Sequence, residues 1–209
     1  MSIKAIEAFS ATLERAETLL ALHSATRGRP PKEKEDILRA AVMLAVAAVD
    51  SYFHDKILER LTPFLQTRRG SRIPGSLIKL LEKHGGVEKM LEILYADRPH
   101  RRIHTIVRRA QAELTFQKPD KIEAALRLLG ISDLWYRVAT EMKHGASKER
   151  VKKRLGQYAW RRDKIAHEAD RTTGGKPTPI RKPYVTDCIS FLRRFIRAAD
   201  RVIDQATGG

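Results

Sequence analysis

An all-helical bundle is the fold class this sequence predicts, on three observations. Apolar residues recur at spacings of three and four along nearly every informative stretch; no stretch alternates apolar and polar residues as a half-buried strand would; and the glycines and prolines gather between the periodic stretches. The first helix is expected over about residues 2–23, where Ile6, Phe9, Leu13, Ala16 and Leu20 make one narrow seam, and Arg27-Gly-Arg-Pro-Pro31 ends it. The second spans about 34–61. Its centre, Ala40–Val49, is apolar on all sides, which marks the most buried helix of a bundle. Thr62 to Pro74, with Arg68, Arg69, Gly70 and Arg72, reads as a loop. Shorter helical pieces follow, Ser76–His84, Val87–Tyr95, Pro99–Leu114, Pro119–Leu129 and Asp133–Met142, each bounded by a breaker. Together, residues 62–142 read as an all-helical insertion. A longer helix starts at Ser147, a capping residue, and continues to about 168. Thr172–Pro183 is an irregular connection, and a final helix over 184–206 carries Val185, Cys188, Ile189, Leu192, Phe195, Ile196, Ala199, Val202 and Ile203 on one stripe. The whole, residues 1–209, is expected to form a single domain.

The chain has 209 residues, 42% of them hydrophobic, enough to bury a core without staples. Its single cysteine, Cys188, excludes an intrachain disulfide framework and fits a reducing compartment; it lies on the apolar stripe of the last helix, a core position rather than a nucleophile's. Lys4, Glu7, Glu14, Arg15 and Glu17 interrupt the first twenty residues, so a secretory leader is not expected, and the longest apolar run, Ala40–Val49, is only ten residues. A cytoplasmic protein with no membrane span is the expectation. The net charge of +16 favours a polyanionic partner, most often nucleic acid.

Arg162 falls on the apolar stripe Val151, Leu155, Tyr158 of the 147–168 helix, where a guanidinium needs an anionic partner. Asp50, at the end of the apolar run of the second helix, is the candidate, and an Asp50–Arg162 ion pair across the bundle is expected. Five residues after Arg162 stands His167, within Arg162-Asp-Lys-Ile-Ala-His-Glu168. An arginine, a polar residue, a short apolar stretch and a histidine, late in a bundle helix and followed by a loop and a long last helix, resembles the motif of the HEPN superfamily. Ala45-Val-Ala-Ala-Val-Asp-Ser-Tyr52 looks like the second helix of its RiboL-PSP branch.

The resemblance implies a HEPN-like bundle acting as a metal-independent endoribonuclease, often a homodimer, serving as a toxin or a defence and stress effector under an antitoxin or other partner protein. His167 would move protons, Arg162 would stabilise charge on the phosphorane oxygens, and Asp163 would orient its neighbours. No cofactor and no metal are implied. Residues five apart on an ideal helix point about 140° from each other, so either the helix ends near His167, or arginine length spans the gap, or the two groups meet partners across a two-fold axis. The plainer reading of the same pair is a structural ion pair near a helix C-terminus.

RNA contacts are expected from Arg161, Lys164, Lys152 and Lys153 beside the motif, and from Arg101, Arg102, Arg108 and Arg109, a run with no intervening acid that otherwise is a solvated face. His100 and His104 share a helix face but lack a flanking carboxylate, so no metal site is expected. Gly174-Gly-Lys-Pro-Thr178 follows no strand and places Pro177 where a phosphate loop needs Ser or Thr. Aromatics are 6%, with no sheet to mount them, which argues against an RRM- or OB-like binder. The alternative to an enzyme is a basic helical module that binds RNA or a protein without cutting.

Overall fold

The computed structural model describes residues 4–24, 34–67, 73–142 and 146–208. Eight α-helices are described: α1 (Ala5–Ser24), α2 (Glu35–Thr67), α3 (Gly75–Leu94), α4 (Pro99–Gln111), α5 (Pro119–Leu126), α6 (Leu134–Met142), α7 (Lys148–Glu168) and α8 (Lys182–Thr207). Among the described residues there is no strand, only an isolated bridge between Arg171 and Pro177. The breaker at 27–31 and the arginines at 68, 69 and 72 lie outside the described residues.

Helix α2 is the axis of the molecule. Val42, Ala45, Val46, Val49, Tyr52, Phe53 and Ile57 are all buried, and α1, α4, α7 and α8 pack around them. By length and composition alone α2 is apolar enough to cross a bilayer; here it occupies the position of a core helix. α1 lays Phe9, Leu13 and Ala16 along it, the ring of Phe9 meeting Tyr52 edge-on at 6.0 Å. α8 buries Val185, Cys188, Leu192, Phe195, Ile196, Ala199 and Ile203, the stripe its periodicity predicts. Helices α3–α6 and the connection between α4 and α5, expected as an insertion, add Leu77, Val107, Phe116, Ile122, Leu126, Leu134 and Val138 to the same contiguous core.

Two local expectations are corrected. Residues 62–67, expected as loop, continue α2 through Pro63, because Leu61, Phe64 and Leu65 bury the last turns and that packing outweighs the hydrogen bond the proline removes. The two pieces expected at 76–84 and 87–95 form one helix kinked at Gly86, whose φ of 68° and ψ of 173° only glycine adopts readily. α5 tightens into a 3-10 turn, Arg127–Leu129, that Gly130 closes in the left-handed region.

A polar network ties the bundle at one end. Lys56, 2% exposed, reaches Asp200 at 2.8 Å, Asp204 at 2.7 Å and Glu59 at 3.2 Å, and the Tyr52 hydroxyl donates to Asp200 at 2.8 Å. Glu59 in turn accepts from the Ala5 backbone N–H at 2.9 Å, so α1, α2 and α8 are cross-linked through one ammonium.

Candidate nucleic-acid interface

α7 carries the candidate site. Ser147 caps it, accepting from the Arg150 N–H at 3.3 Å, and Val151, Leu155, Tyr158 and Ala159 seat it on the core. Beyond Ala159 no residue of this helix is buried; Ile165 alone packs partly against the core. The last two turns, Trp160–Glu168, therefore stand half out of the bundle.

The expected Asp50–Arg162 ion pair is not formed. Asp50 instead accepts from the Phe116 backbone N–H and from Gln117 Nε2 at 3.0 Å, with His54 Nε2 3.7 Å away. The connection between α4 and α5 is the cause: it passes between α2 and α7 and takes up both acids, Phe116 and Gln117 on Asp50 and Lys118 Nζ on Asp163 at 3.1 Å. The ring of Phe116 lies 4.3 Å from that of His54. Arg162 is left with its neighbour Asp163, at 3.3 Å, and its Nε is buried with no hydrogen-bond partner. Asp163 thus orients Arg162 and makes no bond to His167. His54 was legible in the sequence as the residue one turn from Asp50, whereas the strap residues 116–118 carried no signal.

His167 is exposed and makes no hydrogen bond or ion pair among the described residues. α7 stays helical to Glu168, so Arg162 and His167 point about 140° apart and are separated by about 7.5 Å along the axis. No hydrogen bond joins the two side chains within one copy, Arg162 bonding Asp163 instead.

Past His167 the chain turns sharply. Ala169 and Asp170 both take left-handed backbone angles, φ of 49° and 54°, and drive the Asp170 carboxylate inward. There it accepts from Arg39 Nε and from an Arg161 amino group, each at 2.8 Å, while Arg39 also donates to the Thr178 carbonyl at 2.7 Å. Burial works against the Arg39 charge, but the Asp170 and Asp36 carboxylates outweigh it and hold its pKa above the ordinary value. Arg161, expected to contact RNA, bonds Asp170 and the Thr178 and Pro179 carbonyls and so pins the 170–178 turn to α7, as Arg39 pins it to α2. Lys152, also expected to contact RNA, turns towards α5, bonds Glu123 at 3.0 Å and lies over the Trp135 ring, and it holds the Glu123 carboxyl below the usual range. Lys164 pairs with Glu168 and covers the Trp160 ring. Arg101, Arg102, Arg108 and Arg109 are exposed on α4, Arg102 within 3.5 Å of Glu92.

Sequence reasoning missed the groove between α7 and α8. About 660 Å³ in volume, it is lined by Arg150, Lys153, Arg154, Gln157, Tyr158 and Trp160 on one side and Tyr184 and Asp187 on the other. A smaller recess of about 220 Å³, with Pro179, Ile180 and Arg181, shares Arg161 and Tyr184 with it. Its floor is rigid. The Tyr158 hydroxyl donates to Asp187 at 2.5 Å, Arg154 pairs with the same carboxylate, and the Arg154 guanidinium lies 5.0 Å over the Phe191 ring. Burial opposes the Asp187 charge, but Arg154 and Tyr158 keep its carboxyl below the usual range. The Cys188 thiol behind this floor is buried and pushed up by that burial. Comparisons with known protein families, curated proteins and solved structures find no match to this chain.

Proposed function

We propose that this chain is a HEPN-like endoribonuclease that cuts RNA without a metal ion, two copies together making each active site. The observation that supports it most is the placement of His167. It stands exposed at the end of α7, two and four turns along the same stripe from Trp160 and Lys153, which line the cationic groove. In this reading a ribose 2′-oxygen attacks the adjacent phosphorus, the bond from phosphorus to the 5′-oxygen breaks, and His167 transfers a proton, leaving a 2′,3′-cyclic phosphate and a 5′-hydroxyl. Arg162, half-exposed with an unpartnered Nε, neutralises charge on the phosphorane oxygens. With the two residues facing apart on one helix, a second copy would set an Arg162 opposite a His167.

Labelled single-stranded RNA incubated with the protein and EDTA tests this. Cleavage that survives chelation, leaves cyclic-phosphate ends and falls by about 10²- to 10⁴-fold in His167→Ala is the expected result, with Arg162→Ala also strongly impaired. Binding without cutting would establish the second reading, a non-catalytic RNA-binding or protein-interaction module. That reading is favoured by one observation: the carboxylates of Asp170, Glu123 and Asp163 hold Arg161, Lys152 and Arg162.

A further inference from the structure

We infer that the α7–α8 groove is a single-strand subsite, in which Trp160 stacks on an unpaired base while Lys153 and Arg181 hold the flanking phosphates. The inference rests on the RNA reading above but not on cleavage. Four observations carry it. Trp160 is 57% exposed; Lys164 lies over one face of its ring, and the other face is the stacking surface offered to a base. Lys153 in the groove and Arg181 in the adjoining recess, both exposed, make no ion pair among the described residues, so their charges face solvent unneutralised. The one acid in the wall, Asp187, is already held by Arg154 and Tyr158 and does not oppose a phosphate at full strength. Finally, the lining from Arg150 to Arg161 extends about 16 Å along the helix, several times the spacing of about 3.4 Å between stacked nucleotides.

The chemistry selects single strands. A base within a duplex has no free face to offer Trp160, whereas an unpaired one stacks on it whatever its identity. Phosphate contacts alone would treat duplex, single strand and any sulfated polymer alike.

The molecule supplies its own reporter. Of its two tryptophans, Trp135 is buried and stacked on Phe195, so a ligand in the groove changes the emission of Trp160 alone. The probe is oligodeoxythymidine, which lacks the 2′-hydroxyl and is not cut by the proposed chemistry; the duplex of the same length and heparin serve as comparisons. Saturable quenching by the single strand is expected, with little from duplex or heparin. Trp160→Leu abolishes it and weakens binding roughly 5- to 100-fold, Lys153→Glu weakens binding and flattens its salt dependence by about 0.7 in log–log slope or more, and Tyr95→Leu, at an exposed aromatic just past α3, changes neither. Wild-type affinity in a folded Trp160→Leu variant, equal quenching by duplex, or binding of heparin without binding of the single strand would overturn the subsite, the last pointing to an acidic protein partner. Quenching without RNA cleavage keeps the subsite and refutes the nuclease; cleavage with a silent Trp160 does the reverse.

Discussion

Asp170→Asn isolates the charge at the turn after α7. The substitution keeps the side-chain shape, and asparagine tolerates the left-handed angle of φ 54° that this position requires. What it removes is one negative charge, 1% exposed, from between two guanidiniums at 2.8 Å. Breaking a buried ion pair from one side costs roughly 3–5 kcal/mol, because the cations that remain are desolvated and unbalanced. Arg39 retains Asp36 at 3.0 Å and Glu35 at 3.5 Å, so the deficit falls mainly on Arg161, and the asparagine oxygen still accepts one bond. About 3 kcal/mol is therefore expected, the low end of that range. For a chain of this size it lowers Tm by roughly 6–12 °C. The assay is urea and thermal unfolding by circular dichroism at 50 mM and 500 mM salt, with Asp36→Asn as control. Asp36 is 80% exposed and its loss is expected to cost less than about 1 kcal/mol, most of it screened at high salt. A loss below about 1 kcal/mol in Asp170→Asn, or one that salt erases, would show that the 170–178 turn is held by its backbone bonds and not by this carboxylate.

Three further outcomes are expected. Lys56→Met leaves Asp200, Asp204 and Glu59 without their shared cation and destabilises the fold by roughly 3–5 kcal/mol at neutral pH; burial opposes the lysine charge but these acids outweigh it and raise its pKa, so the difference from wild type closes only above about pH 10.4. Burial pushes the Tyr184 phenol up to about 12, so the neutral form is favoured by folding: its contribution is complete below the ordinary tyrosine value of about 10 and is lost as pH climbs through 12, which alkaline unfolding of wild type against Tyr184→Phe measures. Ser147→Ala removes the cap of α7 and lowers stability by about 1 kcal/mol in chemical denaturation.

How much of this was readable without coordinates depends on how far apart in the chain the interacting groups are. The α8 stripe and the Ser147 cap were legible because each is decided within a few residues, by the 3.6-residue period and by a hydroxyl reaching the nearest free N–H. The continuation of α2 through Pro63 was not: a local rule forbids what the burial of Leu61 and Phe64 imposes. In the candidate site, the exposure of Lys153 and of the α4 arginines agrees with the pattern read from the sequence, while the partner of Asp50 does not. Asp50 and Arg162 were paired because both are charges on apolar stripes, but every acid near α7 had several basic candidates, and the pattern does not rank them.

The sequence by itself determined an all-helical chain, a buried second helix, a surplus of cations and a histidine late in the penultimate long helix. Tertiary structure alone decided which cations are neutralised. Arg161 meets an acid nine residues away that a left-handed turn folds inward; Arg39 meets the same acid from 131 residues away; and the strap from Phe116 to Lys118 occupies Asp50 of α2 and Asp163 of α7. Helix period is a property of consecutive residues, whereas the fate of a charge depends on which distant backbone or side chain the packing carries within about 3 Å of it. The α7–α8 groove exists for the same reason, since its two walls are brought side by side only by the fold.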